Sequence, residues 1–272
     1  MANFEILCVT MHQNDFSKIK EMNIHADVVF ANQSDHTSYE EVEFEGHIAK
    51  MISTQTRGVG VNRNLILTYA SANYCLLADD DVVYVDDLEQ RIVSAFEANP
   101  DADVIFFHFE TDDTSRMQTK YKYTKKWPRF MNLPFGGIRI AFKLDSVRKA
   151  NVWFSTLFGG GCIFPSGEDS LFLTDLRRAG LVFYVSKETI GSVSFGVSTW
   201  YTGIDQRYFY GKGAFYQAAH PRTKYLWMLY MALKFRKDDT LKLIEKIKWM
   251  RYGAKGYQSF LSFDQFCAKM KC

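Results

Sequence analysis

Three consecutive aspartates, Asp79, Asp80 and Asp81, stand between two apolar runs in LLADDDVVY, residues 76–84. Adjacent carboxylates repel one another and are costly near apolar ground unless something positive meets them. In an extended chain alternate residues point the same way, so Asp79 and Asp81 share one direction and Asp80 takes the other. Two converging carboxylates are hard oxygen donors suited to one hard cation. A solvated turn or a helix cap is the plain alternative for such a run.

A second acidic pair, Glu168-Asp169, follows Gly167 and opens SLFLTDLRRA. Acids at a helix start ordinarily satisfy free backbone N–H groups. Glycines at 159, 160, 161 and 167 let another molecule approach the backbone, so Asp169 is a candidate general base with Glu168 beside it. In RGVGVNRN, residues 57–64, Arg57 and Arg63 near a helix start suit a diphosphate through charge-assisted hydrogen bonds. A pair of surface arginines is the equal alternative, and the dinucleotide-binding pattern lacks its third glycine. The segment TKYKYTKKWPRF, residues 119–130, interleaves five cations with aromatics. It reads as a solvated loop first, or as a surface for an anionic sugar-bearing acceptor or a membrane. The histidines show no metal-ligand spacing and no nucleophile elbow occurs.

These residues need a scaffold. Short apolar runs at 5–10, 27–31, 49–53, 74–78 and 104–109 suit buried strands, and 62–72 and 86–100 have helical spacing. Asp86 is expected to cap the second helix, a strand is expected over 137–144, and a helix from about Ser170 is expected to end at Gly180. Strand–helix alternation implies an α/β fold with a mainly parallel central sheet flanked by helices. Ligands of such sheets bind at the carboxyl ends of the strands, where the three aspartates emerge.

The chain has 272 residues, with 33 Lys and Arg against 31 Asp and Glu. Bulk charge therefore does not mark a nucleic-acid binder. Five scattered cysteines read as reduced thiols, and the N-terminal stretch lacks the basic and apolar regions of a signal peptide. A cytoplasmic protein is expected, without a transmembrane span. Residues 1–220 are expected to form the main domain, followed by an aromatic, basic helical tail over 221–272. Between 221 and 255 the tail has ten Lys or Arg and three Asp or Glu. Its second piece, LKLIEKIKWMRYGAK, is amphipathic, with packing on the domain and attachment to an anionic membrane equally favoured.

A first strand ending at Thr10, then RGVGVNRN, LLADDD, GEDSLFLTDLRRAGLVFYV and STWYTG (198–203), in that order, resembles the bacterial family 2 glycosyltransferases with the GT-A fold. The resemblance spans residues 5–213. It implies inverting transfer of a sugar from a nucleotide-diphosphate donor to an acceptor hydroxyl, with Mg²⁺ or Mn²⁺. Asp79 and Asp81 would match the DxD motif, with Asp81 on the metal and Asp79 on the metal's water or the donor ribose. Arg63 would face the diphosphate, and Asp169 would be the base. The family's nucleobase contacts map onto Thr10, His12, which could stack, and Asn32, whose amide oxygen can accept uracil or thymine N3–H.

A UDP-sugar donor is favoured and a dTDP-sugar fits the same residues. The acceptor would be a glycan or lipid-linked saccharide in surface polysaccharide or lipopolysaccharide synthesis at the cytosolic membrane face. In this chain no histidine stands shortly before STW, a position where the family often has a metal ligand. A degenerate sugar-binding module is the runner-up, and a nucleotidyltransferase stands further behind because HQNDFSKIK lacks that class's glycine-rich loop.

Overall fold

The run FEILCVTM forms strand β1, Phe4–Met11, buried along its length up to the exposed Met11. A strand apolar on both faces belongs in the middle of a sheet. A short helix α1, Lys18–Glu21, leads to β2, Asp27–Gln33, then to the hairpin of β3, Ser38–Phe44, and β4, His47–Thr54. Next come α2, Val59–Tyr69, β5, Tyr74–Asp79, β6, Val82–Tyr84, α3, Leu88–Glu97, and β7, Val104–Thr111. The chain continues through β8, Lys125–Lys126, β9, Ile140–Lys143, α4, Leu144–Ala150, α5, Glu168–Arg178, and β10, Phe183–Val193. Four helices follow: α6, Gln206–Ala219, α7, Lys224–Lys234, α8, Leu243–Gln258, and α9, Phe263–Met270. The computed structural model describes residues 3–112, 120–131, 133, 135–193, 203–237 and 240–270.

The strands lie in the order β3-β4-β2-β1-β5-β9-β7-β10-β6, with β8 alongside β10. β4, β2, β1 and β5 run parallel, as do β7 and β10, while β9 runs antiparallel between β5 and β7. Register carries Thr10 to Asn32 and Asn32 to Ser53 across three strands, and Val9 to Asp79 on the other side. One carboxyl edge of the sheet thus presents Thr10, Asn32, Ser53 and the start of the aspartate run.

Expected strands coincide with β1, β2, β4, β5 and β7. β3 escapes notice in the sequence because SYEEVEF is an exposed, polar edge strand with little apolar signal. Asp86 is not the cap of α3: the residue before the helix is Asp87, whose side chain makes no capping bond, and Asp86 accepts from the Asn23 amide at 2.8 Å. The expected strand over 137–144 is shorter, because a 3-10 turn at Gly137–Arg139 precedes β9. Helix α5 begins two residues earlier than expected and ends as expected. Gly180 takes φ +98°, and its N–H and that of Leu181 close on the Arg177 and Leu176 carbonyls.

The residues group into two units. The first, Met1–Arg57, Val61–Phe154 and Phe172–Ser198, contains the sheet and a core that includes Ile6, Phe30, Leu76 and Phe107. Cys8 and Cys75 lie buried there as free thiols, and burial pushes both well above the ordinary thiol range. The second unit, Gly58–Gly60, Ser155–Leu171 and Thr199–Cys272, has its own core around Phe164, Phe209, Tyr210 and Met250. The expected division at residue 220 differs from this packing, which groups α6 with the later helices because α6 and α8 lie against each other. Gly213 and Gly253 make that crossing close: a Cβ on either would overlap the facing carbonyl oxygen of Met250 or Tyr210. Among the described residues no helix is long and apolar enough to cross a membrane.

Candidate active site

The carboxyl edge of the first unit is tied together by short polar contacts. The Thr10 hydroxyl donates to the Asp80 carboxylate, and the Lys18 ammonium donates to the Asp80 carbonyl at 3.2 Å. Asp80 therefore turns toward β1, and Thr10 is spent on holding it. Asn32 is fully buried: its Oδ1 accepts from the Gln13 N–H at 3.0 Å, and its Nδ2 donates to the Gln13 carbonyl at 2.8 Å and to the Ser53 hydroxyl at 3.0 Å. Its amide brackets the loop after β1 rather than standing open for a base. His12, exposed at the end of β1, adopts φ +54°, an uncommon conformation outside glycine, and its N–H is held by the Gln33 carbonyl at 2.9 Å.

Arg63 is the buried cation of this edge, with 3% of its surface exposed. Its Nη2 meets Asp79 Oδ1 at 3.2 Å. Its guanidinium lies 5.4 Å from the centre of the Phe154 ring. Gly137 leaves room for it, since a Cβ there would stand 2.5 Å from Nη2. Phe154 is itself held by Asn64, which donates to its carbonyl at 2.9 Å and accepts its N–H at 2.8 Å. The chain RN in RGVGVNRN thus supplies the cation and the bracket for the ring beneath it. Arg57 is used differently, its Nη1 gathering the carbonyls of Ser34, Gln55 and Thr56 at 2.8 to 3.1 Å.

Asp81 reaches the surface, yet the packed ground beneath it, then Asp79 and then Asp80, push its carboxyl above the ordinary range. Lys18 offsets only part of this. Among the described residues no three His, Cys, Asp or Glu side chains form a metal-holding group. The donor chemistry nevertheless fits a divalent cation: Asp79 and Asp81 are hard oxygen donors, and a cation beside them would relieve the repulsion that raises Asp81. Its remaining ligands would come from a bound diphosphate and water.

Glu168 and Asp169 lie in the second unit, in the first turn of α5, where the helix dipole favours carboxylates. Glu168 is buried, and Asp169 is partly exposed. Gly159, at φ +106°, packs against them: a Cβ there would come within 2.9 Å of the Glu168 carboxyl carbon and overlap Val59. The glycine-rich loop therefore seats Glu168, leaving Asp169 as the more open acid. STW lies outside the described residues.

The basic loop resolves mostly into surface pairs, Lys120 with Glu110 at 3.2 Å and Lys126 with Asp101 at 2.9 Å, while Trp127 is buried. Reasoning from sequence missed Lys18, Asn64, Phe154 and Gly137. Lys18 has no local signal because the bond it makes spans 62 residues. Asn64 had one, in its place directly after Arg63.

The family model described as Glycosyl transferase family 2 matches residues 25–152, which contain Asn32, Arg57, Arg63 and all three aspartates. No curated protein matches the sequence. Among solved structures, S. aureus TarS 1-349 in complex with UDP-GlcNAc aligns with a TM-score of 0.62 at 11% identity, covering 96% of this chain and 93% of that one. The S. aureus TarS structure without that truncation aligns with a TM-score of 0.55 at 14% identity, covering 98% of this chain and 45% of that one. The mannosyltransferase PcManGT from Pyrobaculum calidifontis, in complex with GDP-Man and Mn²⁺, aligns with a TM-score of 0.50 at 12% identity, covering 98% and 78%. Likeness at these identities speaks for the fold alone. Matched segment and fold agree: residues 25–152 are similar to the family 2 glycosyltransferase model, and the chain has the GT-A fold.

Proposed function

We propose that this glycosyltransferase is inverting and moves a hexose from a nucleoside-diphosphate donor to a hydroxyl of a glycan or lipid-linked acceptor. UDP-sugars are the favoured donors and dTDP-sugars the nearest alternative. The pathway is surface polysaccharide or lipopolysaccharide synthesis at the cytosolic membrane face, with peripheral contact between the C-terminal helices and the membrane. The observation that carries the reading is the buried Arg63 meeting Asp79 at the carboxyl edge where three carboxylates crowd together. A buried cation beside carboxylates that outnumber it suits a site for a metal–diphosphate pair. Two of the solved structures named above hold UDP-GlcNAc and GDP-Man, the latter with Mn²⁺, which supports this class of donor.

Arg63 binds a diphosphate oxygen, oriented by the Phe154 ring and Gly137. Asp79 and Asp81 would hold Mg²⁺ or Mn²⁺, whose charge would supply Lewis-acid stabilisation to a diphosphate leaving group. Thr10 and Lys18 keep Asp80 directed toward β1, and Asn32 keeps Gln13 in place under the base, against which His12 stacks. Asp169 takes the proton from the acceptor hydroxyl as its oxygen forms the new bond to the anomeric carbon. The bond from that carbon to the diphosphate oxygen breaks on the opposite face, inverting the centre. Glu168 holds the start of α5 against the glycine loop, so that Asp169 is presented in one orientation.

Calorimetric titration with UDP-, dTDP- and GDP-sugars, each with Mn²⁺ and with EDTA, tests this. Binding that favours one nucleotide and weakens in EDTA is expected. Metal-independent binding would shift the diphosphate contact to Arg57 or Arg63, and an absence of binding to every donor would leave a degenerate module.

A further inference from the structure

Of the two readings of the amphipathic segment around α8, packing and membrane attachment, most of the helix follows the first, with Leu243 and Ile244 of its first turn left exposed. Trp249, Met250, Gly253 and Ala254 of α8 are buried in the core of the second unit. Helix α7 does the opposite. It buries only Met228, Met231 and Ala232, and leaves Tyr225, Leu226, Leu229, Tyr230 and Leu233 exposed, Leu226 at 69% and Tyr225 at 61%. At 100° per residue these five side chains fall within an arc of about 140°, so they form one continuous apolar face.

The chain that carries this face is mainly basic, although Asp238 and Asp239 follow it directly and Arg207 is paired with Asp264 at 2.6 Å. Residues 206–237 contain seven Lys or Arg and no Asp or Glu. Lys224 and Lys234 stand at the two ends of α7. Lys212, on α6, is desolvated, and the Lys234 charge beside it helps push its ammonium below the usual lysine range. Cations crowded in this way favour an anionic partner over a neutral one. A second copy of the chain would bring the same basic rim against itself, which like-charge repulsion disfavours. Tyrosines on an apolar face edged by cations suit the headgroup level of a bilayer, where rings and ammonium groups meet both apolar chains and phosphates.

We infer that the exposed face of α7 docks this enzyme on an anionic lipid bilayer, with its axis in the plane of the interface, Leu226, Leu229 and Leu233 in the acyl boundary and the flanking cations on phosphates. The inference rests on the proposed placement at a membrane face and assigns the element that makes the contact.

The test is co-sedimentation of the full chain with phosphatidylcholine vesicles with and without phosphatidylglycerol. Wild type is expected to bind the anionic vesicles only, and less as salt rises. The pair Leu226→Glu and Leu229→Glu is expected to lower the partition coefficient by about tenfold or more, with circular dichroism and nucleotide-sugar binding unchanged. Should that variant misfold, Lys224→Gln with Lys234→Gln removes charge while keeping the helix, and is expected to weaken binding to anionic vesicles severalfold. Equal binding by the folded variants, equal binding to neutral vesicles, or no vesicle binding would overturn the docking. So would a wild-type dimer that the leucine variant turns into a monomer. A chain that binds vesicles but no nucleotide sugar would keep the docking and sink the proposed transfer, and the reverse result would do the opposite.

Discussion

Arg63 is held by a ring below it, a glycine beside it and a carboxylate ahead of it, so its planar fork rather than its charge alone is selected. Arg63→Lys keeps the charge and loses the fork. Donor affinity measured by calorimetry is expected to fall about tenfold or more, in line with loss of charge-assisted hydrogen bonds. Asp169→Asn is expected to reduce turnover by about 10²- to 10⁴-fold while the donor dissociation constant stays nearly constant, because a base acts in the transition state alone. Full turnover in that variant would remove the base assignment. Asp81 carries a pKa raised in the fold, so the native state holds its proton more tightly than the unfolded chain. Stability from this group is full in acid and is lost as pH rises through its raised pKa. Asp81→Asn should therefore show a higher unfolding midpoint than wild type at neutral pH, no gain below the ordinary carboxylate range, and no EDTA-sensitive donor binding.

At the scale of elements, the crossing of α6 and α8 depends on an absent atom. Any side chain at Gly253 meets the Tyr210 backbone, which cannot move without shifting α6. Gly253→Ala is expected to cost about 1–3 kcal/mol in urea unfolding, although alanine is the better helix former. A neutral or stabilising result would mean that the two helices do not approach so closely. Nothing in the amphipathic pattern of α8 foretells which partner covers its apolar stripe. α7 and α8 both present apolar and basic residues, and only their packing shows that α8 buries its stripe beyond the exposed Leu243 and Ile244 while α7 leaves five apolar side chains open.

For the whole molecule, a donor that binds the folded chain alone raises stability by mass action. At one hundred times its dissociation constant a nucleotide sugar with Mn²⁺ is expected to add about 2.7 kcal/mol and raise the unfolding midpoint by about 5–10 °C. Acid works against the fold through His108, which is buried with the Arg139 guanidinium at 3.2 Å from Nδ1 and the Tyr121 N–H facing Nε2. Burial first, then the Arg139 charge, lowers its pKa from 6.5 to about 4. Between those values the unfolded chain binds the proton that the folded chain refuses, so stability falls as pH drops through that window. A midpoint in His108→Gln that depends less on pH over the same window checks this.

Sequence by itself determined the central strands β1, β2, β4, β5 and β7, because continuous apolar runs bounded by turns have few ways to be buried. It also determined that Asp79 to Asp81 emerge at a carboxyl edge and that Arg63 lies near the start of a helix, since both follow from local pattern and chain order. Tertiary structure alone decided the partners. Lys18 reaches Asp80 across 62 residues, and Asn64 reaches Phe154 across 90. It turned Asn32 and Thr10 inward to hold the edge, and it buried most of the apolar stripe of α8 while leaving one face of α7 open. Spacing along a chain records which face a residue shares with its near neighbours, whereas a contact between distant segments depends on how the whole chain closes, and no short stretch contains that information.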